Sequence, residues 1–292
     1  MILQSEILRI AEQAGVPPDT IDKDWVIGHL LAELFCSEWA QQNLIFKGGT
    51  CLKKCYFKNY RFSEDLDFTL ANPEFVVSDI LVNTVCRHVT DKAGILLHPK
   101  KVEPIVYDNQ LCGYNTHIYY WGANHRRNQR PAPPQRWLTS IKVEIISYEK
   151  LIDRPNYRSL TDDFSDSQQF TGLNIPCYSM YEVIAEKFRA LLQRSYSAPR
   201  DYYDLWYILR SETMNWDKIL SMFKEKMIFK KMQYDGYKDF FEDGKLNIMK
   251  REWENSLRGH IRYEEAPDVE TVLSELKIIC EKVDWPEIKN LN

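Results

Sequence analysis

The spacing of apolar positions changes character twice along the chain. In "DKDWVIGHLLAELFCSEWA" (residues 22–40) large apolar residues recur three and four apart, which predicts a helix with a wide buried stripe. From about residue 44 to 178 the pattern shifts to short β-rich runs: "LIFK", "LDFTL", "VEPIVY", "THIYYW", "WLTSIKVEIISY" and "GLNIPCY". Turn residues separate them, and one helical stretch falls near 75–91, so this part reads as a mixed sheet with helices. At Ser179 the period returns to helical. Ser179 with Glu182 three residues on predicts a capping box, followed by Val183, Ile184, Phe188, Leu191 and Leu192 at helical spacing. "RDYYDLWYILR" begins a further helix just after Pro199, and "SELKIICEKV" reads as another. The expected organisation is a sheet domain with N-terminal helices over residues 1–177 and a helical bundle over 178–292.

Composition narrows the classes this pattern can serve. With 292 residues and 44% hydrophobic positions, the chain can bury one large core or two modest ones. A formal net charge of -4 supplies no global field that would draw in nucleic acid or an anionic membrane, so any polyanion site has to be a local patch. "WVIGHLLAELF" is interrupted by His29 and Glu33 and is too short to span a bilayer. The first twenty residues have no basic segment leading into a continuous apolar one, which predicts a cytoplasmic protein with no membrane partner. Seven cysteines without a CxxC pair fit buried thiols in a reducing compartment; Cys51 and Cys55 are helix neighbours with no histidine at zinc-like spacing, and packing is their default role.

One stretch concentrates the chemistry: "NLIFKGGTCLKKCYFKNYRFSEDLDFTL", residues 43–70. A strand ending at Phe46 and Lys47, then Gly48 and Gly49, then a helix from Thr50 is an arrangement suited to phosphate. Glycines let the backbone approach an anion, and a helix start offers unpaired N–H groups. Farther on, Asp65 and Asp67 alternate with Leu66 and Phe68, so in a strand both carboxylates point to one face. Two such carboxylates repel unless a cation lies between them, which suits Mg²⁺ or Mn²⁺ held together with substrate phosphates. Taken together the segment predicts a site for a metal-bound nucleoside triphosphate.

These residues resemble the AbiEii abortive-infection toxin family, nucleotidyltransferases of the polymerase-beta type. The Gly-Gly-Thr turn is followed by Arg61, Phe62, Ser63, Glu64, Asp65, Leu66 and Asp67, and the similarity continues into "YEVIAEKFRALLQR" and "RDYYDLW". It covers most of residues 44–210 and leaves the last eighty or so without a motif. The resemblance implies an α+β fold, a polymerase-beta-like mixed sheet with flanking helices followed by a C-terminal helical bundle. It also implies transfer of a nucleoside monophosphate from an NTP to an acceptor hydroxyl. By position, Lys47, Gly48, Gly49, Thr50, Ser63 and Lys187 would hold the nucleotide, and Asp65, Asp67, Lys187 and Asp204 would be catalytic. Asp65, Asp67 and a third carboxylate would bind the metal. Glu144 in "IKVEII" is the candidate third carboxylate, with a partnership to Lys142 as its structural alternative. Lys187, flanked by Ile184 and Phe188, has the alternative of snorkelling from a helix, and Asp201 and Asp204 that of complementing a helix start.

For the acceptor, the resemblance implies a toxin–antitoxin or phage-defence system acting on RNA such as tRNA, with a possible cognate antitoxin. Two local patches could meet RNA. "HRRNQRPAPPQRW" groups Arg126, Arg127, Arg130 and Arg136, and "CLKKCYFKNYRF" groups Lys53, Lys54, Lys58 and Arg61 with Tyr56 and Tyr60. A solvated loop and core aromatics are the plainer readings of the two. Two other functions also accommodate paired aspartates: a metal-dependent nuclease, and a catalytically silent module that binds antitoxin or RNA.

Overall fold

The computed structural model describes residues 2–126, 128–170, 172–194 and 198–288. The chain divides into two units. The first comprises Met1–Glu149, Pro155–Cys177 and Gly259–Arg262; the second comprises Lys150–Arg154, Tyr178–Arg258 and Tyr263–Asn292.

In the first unit the elements run α1 (Gln4–Ala14), α2 (Pro18–Phe35), α3 (Glu38–Asn43), β1 (Leu44–Lys47), and α4 (Gly48–Cys51), which continues as a π-helical turn over Leu52–Tyr56. Then come β2 (Leu66–Leu70), α5 (Asp79–Ala93), β3 (Leu96–Pro99), β4 (Glu103–Tyr107), β5 (Gln110–Trp121), β6 (Ser140–Ile146), β7 (Asn156–Ser159) and β8 (Asn174–Cys177). The strands form one eight-stranded sheet in the order β3-β5-β6-β2-β1-β8-β7, with β4 added against β5. It is mixed: β2 pairs β6 and β1 pairs β8 in parallel, while the other pairs are antiparallel. The fold is the expected α+β class.

Alternation along the strands decides which face is buried. Leu66, Phe68 and Leu70 of β2 and Ile141, Val143 and Ile145 of β6 join one core with Leu44 and Phe46 of β1. Helix α2 supplies Ile21, Trp25, Val26, Leu30, Leu31 and Phe35 to that core; Pro18 in its first turn suits a position whose N–H has no helical partner anyway. No helix among the described residues is long and apolar enough to cross a membrane. Strands β3 and β7 carry no expectation from the pattern. All four side chains of β7 are exposed, so it has no alternation to read, and β3 is a four-residue strand ending in proline.

The second unit holds α6 (Met180–Gln193), α7 (Pro199–Ser211), α8 (Trp216–Phe229), α9 (Asp243–Leu257) and α10 (Val269–Glu281). At the start of α6, Ser179 Oγ accepts the N–H of Glu182 as a cap should. The reciprocal half of the expected capping box is absent. Glu182 instead accepts the N–H groups of Ile152 and Asp153 and pairs with the buried Lys226 of α8 at 2.6 Å. The core of this unit is aromatic: Phe188, Phe223, Tyr234, Phe240 and Trp285 meet with ring centroids between 4.9 and 6.1 Å where they pair. Four of those rings, Phe223, Tyr234, Phe240 and Trp285, come from the C-terminal stretch that carries no motif, and packing is what that stretch contributes here.

Candidate active site

The site is assembled on the polar face of the sheet, at the end of β1. Register does the placing: Lys47 of β1 lies opposite Asp67 of β2, and Asp67 lies opposite Glu144 of β6, which in turn pairs with Asn115 of β5. Four strands thus contribute one polar row. Leu66 and Phe68, the neighbours of Asp67, are buried on the opposite face, so the row cannot turn over without exposing the core.

Gly48 and Gly49 fit the turn to this row. Gly48 has φ +81°, in the left-handed region, and a Cβ there would stand 2.4 Å from Asp67 Oδ2. A side chain at Gly49 would stand 2.7 Å from Arg61 Nη2 and 2.9 Å from Ser63 Oγ. The turn therefore leaves a carboxylate beside its first residue and a guanidinium and a hydroxyl beside its second, at distances only glycine permits. Thr50, buried, turns its hydroxyl to the carbonyl of Asp65 and ties the helical start to the acidic segment. The π-helical continuation through Leu52–Tyr56 is a geometry that recurs at functional sites.

The electrostatics follow from the same crowding. Burial pushes the Asp67 carboxyl up to about 6; Lys47 and Lys142 act against that rise, and the charges of Asp65 and Glu144 add to it. Glu144 Oε1 takes the ammonium of Lys142 at 2.7 Å. The oxygens of Asp65, Asp67 and Glu144 do not all come within 4.8 Å of one another. Both readings of Glu144 are thus visible at once, a place beside Asp67 and an ion pair with Lys142. The sequence marks Arg61 only as part of the motif and of a basic patch. The structure makes it a buried guanidinium against the glycine turn, a role that only its distance from Gly49, and no periodicity, reveals.

Lys187 and Asp204 belong to the second unit. Lys187 Nζ of α6 donates to Asp201 Oδ1 at 3.0 Å and Asp204 Oδ2 at 2.7 Å, both on α7, and Arg194 also pairs with Asp201. Lys187 does not snorkel: its side chain is 11% exposed and that of Asp204 0%. Of the two basic patches, Arg126, Arg130 and Arg136 are exposed, and Arg127 lies outside the described residues. Lys54 is buried between Asp24 and Asp162 at 2.8 and 3.0 Å, and Tyr60 is buried, so neither presents itself to RNA.

A glycine turn abutting the Asp67 carboxylate on a mixed α+β sheet is an arrangement that can receive phosphate oxygens beside acidic groups. The model of the family described as "Nucleotidyl transferase AbiEii toxin, Type IV TA system" matches residues 29–275, and the chain belongs to that family. It is a nucleotidyltransferase of the toxin type. No curated protein matches it in sequence. Among solved structures it is similar to MenT4, a nucleotidyltransferase toxin from Mycobacterium tuberculosis H37Rv, with a TM-score of 0.60 and 19% identity, covering 96% of this chain and 99% of that one. At that identity the likeness speaks to the fold.

Proposed function

We propose that the chain transfers a nucleoside monophosphate from an NTP to a hydroxyl of RNA, with the triphosphate held at the Gly48–Gly49 turn in a divalent-metal complex. The observation that carries this reading is the geometry of the turn, where Gly48 leaves no room for even a methyl group beside Asp67. The donor set fits a hard cation: Asp65 and Asp67 offer carboxylate oxygens, and Glu144 stands next in register. When bound, Mg²⁺ or Mn²⁺ would supply charge neutralisation at the phosphates.

The chain's own residues would do the remainder. The backbone N–H groups at the start of α4 and the hydroxyl of Ser63 are hydrogen-bond donors for phosphate oxygens. Arg61 presents a planar fork suited to the same oxygens, and Lys47 adds a positive charge opposite Asp67. Fixed donors aimed at phosphate stabilise charge that develops during transfer. Release of Glu144 from Lys142 would free a third carboxylate for the metal or the attacking hydroxyl. Membership of a type IV toxin family supports a regulatory antitoxin as the protein partner.

Position-specific labelling tests the reaction class. The purified chain is incubated with Mg²⁺, an RNA pool including tRNA, and NTPs labelled at either the α- or the γ-phosphorus. Nucleotidyl transfer predicts RNA that takes up the α label and excludes the γ label. Uptake of the γ label instead, or RNA cleavage independent of NTP, would overturn the proposal.

A further inference from the structure

The three cysteines Cys51, Cys55 and Cys177 converge beneath the glycine turn. Their sulfur atoms all lie within 4.8 Å of one another, and all three residues are buried. Cys51 is the last residue of α4, Cys55 lies on the π-helical turn, and Cys177 closes β8, where it pairs with Phe46 of β1. Helical spacing brings the first two together. The third arrives only through the parallel β1–β8 pairing, which no local pattern encodes.

We infer that this cluster is a binding site for a single thiophilic d¹⁰ metal ion in three-coordinate geometry, with Cu(I) the ion it fits best. A metal–sulfur bond of about 2.3 Å places three ligands in a trigonal plane at about 4 Å from one another, a spacing the cluster accommodates. Thiolate donors select soft ions over Mg²⁺ or Ca²⁺. A structural Zn²⁺ site requires a fourth ligand. Among the described residues no other cysteine, histidine or carboxylate joins the group.

Positive charge lies close to the cluster. Hydrogen bonds from Cys177 and Cys51, with the positive charges of Lys54 and Arg158, lower the Cys55 thiol, while burial and hydrogen bonding to Cys55 raise the thiols of Cys51 and Cys177. Arg158 also donates its Nε–H to the Cys55 carbonyl at 3.3 Å and lies over the Tyr56 ring, which holds its charge close to the cluster. Binding releases the thiol protons to solvent. Because Cys51 follows Thr50 directly and Cys177 pairs with Phe46, an ion here would fasten the two flanks of the turn to each other.

The test uses the full reduced chain carrying Cys36→Ala, which removes the exposed thiol. Cu(I) is titrated under anaerobic conditions against a chromophoric Cu(I) chelator, and X-ray absorption of the loaded protein counts sulfur neighbours. The inference predicts one equivalent of copper with three sulfur neighbours, a higher melting temperature on loading, and loss of that equivalent in Cys55→Ala and Cys177→Ala. The sulfur count is taken on a chain with the cluster intact, so it stands even if those variants fold poorly. Failure to compete with the chelator, two sulfur neighbours in place of three, or an undiminished equivalent in the triple variant Cys51→Ala/Cys55→Ala/Cys177→Ala would overturn it.

Discussion

Gly48 is the residue on which the proposed site turns. Any side chain there meets two obstacles, a left-handed backbone and the Asp67 carboxylate 2.4 Å from the Cβ position. Gly48→Ala is expected to destabilise the chain by about 1–3 kcal/mol, the usual range for a strained position, and to displace Asp67 so that transfer falls at least tenfold. Melting and label transfer measure the two effects, and unchanged transfer would show that the turn does not touch the chemistry. Asp22 gives a pH prediction that is independent of the site. Its buried carboxyl accepts the N–H groups of Ala123 and Asn124 and is raised from 3.8 to about 6, chiefly by burial. A raised carboxyl favours the fold below its unfolded value, and that contribution is lost as pH climbs to about 6. Asp22→Asn can keep the same acceptor oxygen without the charge. It should therefore be more stable than wild type at neutral pH by roughly 1–3 kcal/mol, with the gap closing below about pH 4. Chemical denaturation at both pH values measures it, and a pH-independent difference would refute the assignment.

At the scale of elements, α6 and α7 are joined by the charges of Lys187, Asp201 and Asp204 as well as by apolar packing. Removing the ammonium takes from the fully buried Asp204 carboxylate its 2.7 Å partner. Lys187→Ala should cost about 3–5 kcal/mol of stability, the range seen when one partner of a buried pair is deleted. Asp204→Asn in the same chain should restore part of it, because a buried charge that has lost its ammonium is then removed. A stability unaffected by Lys187→Ala would show the pair to be energetically silent. Helix α6 also shows the reach of local pattern. Its cap at Ser179 and its apolar stripe were legible in the sequence. The engagement of Glu182 with Ile152, Asp153 and Lys226 was not, because those partners come from distant segments. The same holds within the first unit. Asp65 and Asp67 on one face, and the glycine turn before them, follow from period and residue type. The row through Lys47, Asp67 and Glu144 depends on which strands become neighbours, and the approach of Arg61 to Gly49 on a loop with no period. Cys177 near Cys51 is the extreme case.

For the whole molecule, the sheet and its register present one polar row at the end of a glycine turn, and the chain belongs to a nucleotidyltransferase family whose chemistry we propose for that row. The reading of this row as the nucleotide site requires that the triphosphate–metal complex binds there. Asp67→Asn tests it most directly, since the substitution keeps the size of the side chain and removes a carboxylate that is already raised to about 6 by its surroundings. Without ligand, Asp67→Asn should be at least as stable as wild type, because burial and the neighbouring carboxylates disfavour the charge it removes. The deciding measurement is the melting temperature of both proteins with and without Mg²⁺ and each NTP in turn. Ligand at about one hundred times its dissociation constant stabilises the folded state by about 2.7 kcal/mol. Wild type should show an upward shift of that order with one or more NTPs, dependent on the metal, and Asp67→Asn should show almost none. An equal metal-dependent shift in both proteins would contradict binding at this row and move the triphosphate away from Asp67.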